Sequence, residues 1–177
     1  MSQTVEAQDL KKYIRDIPDF PEKGIIFKDI TPLLKDPLAF KETIDLLANR
    51  FKREQVDYVV GIEARGFIFG SALAYKLGVG VIPVRKKGKL PYKTNSVTYD
   101  LEYGTDTLEI HADAIDSGSR VLIIDDVLAT GGTVSAVTRL VKKQNAQIVG
   151  LAFLIELSFL KGRQKLPDLP LFSLIQY

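Results

Sequence analysis

Short apolar runs alternate with stretches of helical spacing along most of this chain. Val56 to Ile62, Val79 to Val84, Val121 to Ile124 and Gln147 to Leu154 are near-continuous runs, as in strands covered on both faces. Behind Asp36-Pro37, an acid suited to capping and a proline suited to the first helical position, Phe40, Ile44, Leu47 and Phe51 recur at helical spacing. A second helix is predicted from Gly66 to a glycine cap at Gly78, and Val134, Val137 and Val141 mark one face of a third. The start predicts a helix over about residues 6–15, broken at Pro18 and Pro21, then an irregular apolar segment from Gly24 to Thr31. Val97 to Leu101 and Thr107 to His111 alternate as the strands of an antiparallel hairpin do, after a long polar loop over 85–96. Asp116-Ser-Gly118 is a turn. This order predicts an α/β fold: a central, mostly parallel sheet flanked by helices, with the hairpin inserted near the carboxyl ends of the strands.

Composition narrows the function classes. The 177 residues suit one domain with a real core. A net charge of +2 is too small to argue for general nucleic-acid binding. There is no cysteine, hence no disulfide, thiol catalysis or cysteine metal site, which fits a cytoplasmic protein. A single histidine, His111, rules out multi-histidine metal sites and reads as structural. The start carries no apolar signal core, and the longest apolar run, Ile148 to Ile155, is far short of a membrane span of roughly 20 residues.

The chemistry concentrates in residues 121–133, Val-Leu-Ile-Ile-Asp-Asp-Val-Leu-Ala-Thr-Gly-Gly-Thr. An apolar strand is expected to end at Asp125 and Asp126, and a loop of small residues then enters a helix. Ligands of open α/β sheets bind beyond the carboxyl ends of the strands. Backbone N–H groups at a helix start favour anions. One segment therefore offers carboxylates for hydroxyl groups and a cradle for a phosphate, as a sugar phosphate requires. A nucleotide-binding P-loop is excluded: Gly88-Lys89 has Pro83 where the first glycine belongs and Leu90 where a Ser or Thr belongs. Gly78-Val-Gly80 lacks the third glycine of a dinucleotide fingerprint.

The same thirteen residues resemble the phosphoribosyl pyrophosphate (PRPP) motif of the type I phosphoribosyltransferases. Four further segments, in order, resemble the members that act on adenine: Phe20 to Pro32 their base-binding region, Gly61 to Phe67 their pyrophosphate loop, Arg85 to Pro91 and Tyr99 to Gly104 their flexible loop and hood. The resemblance implies the type I phosphoribosyltransferase fold as a single domain over 1–177, with about 1–34 forming the hood segment that binds the base. It implies purine salvage, adenine + PRPP → AMP + pyrophosphate, with Mg²⁺ held mainly by PRPP and water. Asp125 and Asp126 would accept the ribose hydroxyls; Ala129, Thr130, Gly131, Gly132 and Thr133 would cradle the 5′-phosphate. Arg65 would grip the pyrophosphate, joined by Arg85 and Lys89 as the loop closes, while Lys86 and Lys87 read as solvated. Glu102 would carry the proton transfer at the purine, with Arg65 and Lys89 stabilising charge, and Tyr103 would cover the site. Adenine would meet Ile26 and Lys28, partly through backbone groups, and Leu128 would pack on its ring. Lys28 departs from the family, where arginine is frequent, and Glu63 stands where aspartate also occurs. A non-proline cis peptide is expected at Ala64–Arg65.

Two other readings use the same fold. One is transfer to another base, such as hypoxanthine, xanthine or orotate. The other is a PRPP-sensing regulator, which would need a DNA-binding module ahead of the fold. The expected partners are small molecules and a second copy of the chain in a homodimer, with neither nucleic acid nor membrane.

Overall fold

The computed structural model describes residues 7–100, 104–166 and 168–177. Two sheets form. Strands β1 (Arg15–Pro18) and β2 (Ile26–Asp29) make an antiparallel pair, with Arg15 opposite Asp29 and Pro18 opposite Ile26. The second sheet has seven strands, β3 (Tyr58–Ile62), β4 (Gly80–Lys86), β5 (Thr94–Asp100), β6 (Thr105–His111), β7 (Arg120–Leu128), β8 (Gln147–Glu156) and β9 (Leu171–Gln176). Their order is β5-β6-β4-β3-β7-β8-β9, parallel from β4 through β9 and antiparallel across the β5–β6 hairpin. Helices α1 (Thr31–Lys35), α2 (Pro37–Phe51), α3 (Gly66–Leu77) and α4 (Gly132–Lys143) complete the α/β architecture.

Side chains alternate along each strand, so each central strand feeds two cores. Leu122 and Ile124 of β7 join Val59, Leu47, Phe51, Phe69 and Leu73 on the face covered by α2 and α3. Val121 and Ile123 join Val60, Ile82, Val137, Leu140 and Val141 on the face covered by α4 and the hairpin. The predicted stops hold. Asp36 accepts hydrogen bonds from the Leu38 and Ala39 N–H groups at 3.0 and 2.9 Å, and Gly78 closes α3 in the left-handed conformation. Among the described residues, no helix is long and apolar enough to cross a membrane.

Several boundaries differ from expectation. The N-terminal helix is a 3-10 turn (Ala7–Tyr13), and the chain is already extended at Arg15. The irregular segment is β2, held to β1 by ion pairs Arg15–Asp29 (2.6 Å) and Lys28–Asp16 (2.7 Å). Only 87–93 separate β4 from β5, because Arg85, Lys86 and Thr94 to Ser96 are in strands. β7 does not end at the acids; it continues to Leu128 because β8 pairs with it as far as Glu156.

Glu156, buried at the end of β8, ties the last elements together. Its carboxylate takes two bonds from Arg163, Nε to Oε1 at 3.0 Å and Nη2 to Oε2 at 2.6 Å, and a third from Ser173 Oγ on β9. The Arg163 bonds hold the Glu156 carboxyl below its ordinary value of 4.5. A lowered folded pKa means that the stabilisation is present above 4.5 and is lost as pH falls through the folded value. Arg163→Ala should therefore cost about 1–2 kcal/mol in urea unfolding at pH 7, because the buried carboxylate loses its half-exposed cation. The difference from the parent protein should shrink below about pH 4.5.

Candidate active site

Strand order reverses between β3 and β7: β4 lies to one side of β3, while β8 and β9 lie beyond β7. Such a switch point leaves a crevice at the carboxyl ends of the strands. A cavity of about 560 Å³ opens there, bounded by the ends of β3 and β7, the hairpin and β2. Ile26, Lys28, Arg65, Asp125, Asp126, Ala129 and Thr133 all line it.

The two carboxylates are the most perturbed groups. Burial, and then the Asp126 charge, push the Asp125 carboxyl well above the ordinary 3.8. Burial also raises Asp126, against the opposing pull of Arg65. Asp125 Oδ1 accepts from the Asp126 N–H at 2.9 Å. Arg65 Nε stands 2.7 Å from Asp126 Oδ2, but out of line for a hydrogen bond, so this buried oxygen has no donor among the described residues. An orphaned buried acceptor is costly and is suited to a ligand hydroxyl. Gly66, at the start of α3, is forced by the same packing. A Cβ there would lie 2.7 Å from Asp125 Oδ1.

A second, smaller cavity of about 70 Å³ adjoins the first, lined by Ala129 to Thr133 and the end of β7. α4 begins at Gly132, so its first N–H groups have no intrahelical acceptors and face this cup as an anion site. Gly131 caps the helix at φ +83, and a Cβ there would stand 2.6 Å from the Gly162 carbonyl oxygen. The loop thus rests on the 3-10 turn Gly162–Lys165, a support that the sequence reading missed. Tyr99, also missed, lines the large cavity and places its hydroxyl 3.4 Å from Thr133 Oγ1.

Glu63 is the larger omission. Its carboxylate lies 2.5 Å from Lys89 Nζ and 3.4 Å from Arg85 Nη2, and it accepts the Lys86 N–H at 2.8 Å. Although burial opposes ionisation, bonds from Lys89, Lys86 and Arg85 leave the carboxyl below its ordinary value. Glu63 lines the cavity, whereas Arg85 and Lys89, which it holds, are not among the lining residues. Lys86 and Lys87 are both exposed, as expected, but Lys86 also borders the cavity and pairs with Asp106 at 3.0 Å. The non-proline cis peptide is Glu63–Ala64, one residue before the expected bond.

The base-binding expectation has a backbone origin. Pro18 lies opposite Ile26 and has no N–H to give. The doubly bonded pairs are therefore Ile17–Phe27 and Arg15–Asp29. That phase turns the peptide groups of Ile26 and Lys28 away from β1, to the unpaired edge of β2. The Lys28 ammonium is engaged by Asp16. Arg65 stacks on Phe27, 4.9 Å from the ring centroid. Leu128 is corrected: its side chain is 1% exposed within the core, and its neighbour Val127 lines the large cavity with Leu157. Glu102 and Tyr103 lie outside the described residues. His111 sits on β6, its ring edge-on to Tyr92 at 6.1 Å.

Known proteins match this arrangement. Residues 29–173 match the family model described as phosphoribosyl transferase domain. The adenine phosphoribosyltransferase of Geobacter metallireducens is 63% identical over 96% of this chain and 99% of its own. The crystal structure of adenine phosphoribosyltransferase from Thermoanaerobacter pseudethanolicus superposes with a TM-score of 0.94 at 53% identity, covering 97% of this chain and 99% of that one. The Saccharomyces cerevisiae enzyme, crystallised with an imino-altritol bisphosphate and adenine, gives 0.90 at 46% identity over 95% and 97%. The chain belongs to the phosphoribosyltransferase family, and within it to the adenine phosphoribosyltransferases.

Proposed function

We propose that this protein transfers the phosphoribosyl group of PRPP to N9 of adenine, giving AMP and pyrophosphate. One observation carries the reading. The open edge of β2 at Ile26 and Lys28 faces the same cavity as the buried pair Asp125 and Asp126. The first reads a flat base with an acceptor–donor edge: the Ile26 carbonyl takes the 6-amino group and the Lys28 N–H gives to N1. The second accepts the ribose 2′- and 3′-hydroxyls, ionised carboxylates being acceptors only. The cup at Ala129 to Thr133 takes the 5′-phosphate, with the hydroxyls of Thr130 and Thr133 as further donors.

The bond from C1′ to pyrophosphate breaks as C1′–N9 forms, through a sugar with oxocarbenium character. Arg65, with a planar fork that matches phosphate oxygens, holds the leaving pyrophosphate. Arg85 and Lys89 leave Glu63 to join it, so that charge is stabilised where it develops. Glu102 takes the proton that adenine gives up, and Tyr103 helps to exclude water. Among the described residues, no group of three or more His, Cys, Asp or Glu could hold a metal ion by itself. The acids at the cavity mouth are Asp106, paired with Lys86, and Glu63, paired with Lys89 and Arg85. That donor set fits Mg²⁺ brought in by PRPP with its waters. The ion would neutralise charge on the departing pyrophosphate.

A homodimer completes the proposal. α3 is apolar nearly all round, yet it leaves Tyr75 90% and Ile68 42% exposed. Val81 and Pro83 of β4, on the α3 side of the sheet, are exposed as well. A helix apolar on every side calls for cover on its outer face, and a second copy presenting the same strip supplies it.

Three outcomes are expected. Purified protein with Mg²⁺ and PRPP should form AMP from adenine. Hypoxanthine, which presents the opposite donor pattern at position 6 and N1, should be used with a kcat/KM lower by at least about a hundredfold. Failure to form AMP from adenine would remove the reading. PRPP binding should release protons, because the raised Asp125–Asp126 pair must ionise to accept the hydroxyls. The folded, empty site binds more protons than free aspartates do, so PRPP affinity should rise as pH climbs through the pair's raised range. Calorimetry in two buffers of different ionisation heat reads the proton count, and zero release would contradict the arrangement. Finally, Tyr75→Asp should shift the protein from dimer to monomer in light scattering.

A further inference from the structure

We propose that Tyr177 is a positioning residue for the base site: its ring and the Asp16 carboxylate clamp the Lys28 ammonium and so fix the strand that reads adenine. Lys28 Nζ lies 3.9 Å from the centre of the Tyr177 ring and 2.7 Å from Asp16 Oδ1. An ammonium at that distance from an aromatic face is attracted by the ring's quadrupole, and more strongly when partly desolvated. The Lys28 side chain is 11% exposed, so this one is. A second lysine, Lys11 of the N-terminal turn, stands 4.9 Å from the same ring.

Tyr177 is itself fixed. Its N–H donates to the Glu156 carbonyl at 3.0 Å, and its carbonyl accepts from Ser158 N–H at 2.9 Å, continuing the β8–β9 ladder past Gln176. The ring packs against the core on the α2 side of the sheet. β2, in contrast, pairs among the described residues only with β1, and a two-stranded ribbon by itself is marginal. Two side chains of β2 reach the body of the fold: Phe27 stacks on Arg65 at the start of α3, and Lys28 meets Tyr177, just beyond the end of β9. The Lys28 peptide group points to the open edge in the cavity. The side chain of Lys28 therefore acts on the base indirectly, by holding the backbone that faces it. This accounts for a lysine where the family often has arginine: the position needs a cation over a ring, and an ammonium satisfies it.

The kinetic arm of the test rests on the adenine reading above; a second arm does not. Tyr177→Leu keeps apolar volume and loses the ring's charge-attracting face, and Lys28→Met keeps length and loses the cation. Each should raise the KM for adenine about three- to tenfold. The KM for PRPP should stay within about twofold, since the sugar site is built on β7 and α4. The double variant should be no worse than either single one, because both remove the same contact. Tyr177→Phe should match the parent. In hydrogen exchange, the segment 15–29 should exchange faster in Tyr177→Leu than in the parent, with β3 and β7 unchanged. An unchanged adenine KM, a parallel rise in both KM values, additive losses or unaltered exchange over 15–29 would each overturn the clamp. A parent protein inactive on adenine would overturn the function instead, and the exchange measurement would still decide the clamp.

Discussion

Two adjacent carboxylates buried at the end of β7 are the constraint to which the rest of the site conforms. Neither Asp125 nor Asp126 is comfortable as a charge there, since burial raises both and the Asp126 charge raises Asp125 further. The fold tolerates them because the switch point between β3 and β7 places a helix start on either side. α3 begins at Gly66, where only a hydrogen atom fits beside Asp125. Arg65, immediately before it, brings a guanidinium to Asp126. α4 begins at Gly132, a few residues beyond the acids, and turns its first N–H groups to the small cup. Thus one strand junction brings the buried acids, the guanidinium and the small-residue cup to two adjoining cavities.

How much of this could be read from the sequence follows from how local each feature is. The capping acid Asp36, the stop at Gly78 and the apolar runs at the centres of β3, β7 and β8 are decided by neighbours in sequence, and each lies within the expected element, though β7 runs on past its expected end. β1 and β2 were hidden. Their side chains are mostly half-exposed or exposed, their residues alternate weakly, and what orders them is a pair of cross-strand ion pairs. β4 was cut short because Arg85 and Lys86 look like loop residues, although Glu109 and Leu108 of β6 pair with them. β9 was missed because its partner, β8, lies across a stretch of 3-10 turns and prolines.

The same logic separates the site residues. Asp125, Asp126 and the small-residue loop lie in one continuous string, so their common location needs no tertiary information. Glu63 shows its role only when Lys89, 26 residues away, folds back onto it. Leu128 was misplaced for a geometric reason. The expectation ended the strand at the acids, whereas β7 runs on and its alternation shifts phase there: Val127 lines the cavity on the α2–α3 side, and Leu128 falls into the core with Val121 and Ile123.

The charges of the site are already compensated before any substrate arrives. Arg65 faces Asp126, Lys89 and Arg85 face Glu63, and Lys86 faces Asp106. A ligand carrying hydroxyls, a phosphate and a pyrophosphate therefore does not meet bare charges; it exchanges partners with them. For each cation the gain is the difference between a carboxylate and a phosphate oxygen, which keeps binding moderate and product release feasible. The orphaned oxygen of Asp126 is the exception. A hydroxyl donated there replaces no existing hydrogen bond and satisfies an acceptor that burial hides from solvent. On the proposed reaction, a ribose hydroxyl would therefore add a bond where the pyrophosphate would only exchange one, leaving the pyrophosphate contacts free to strengthen as charge builds on the leaving group.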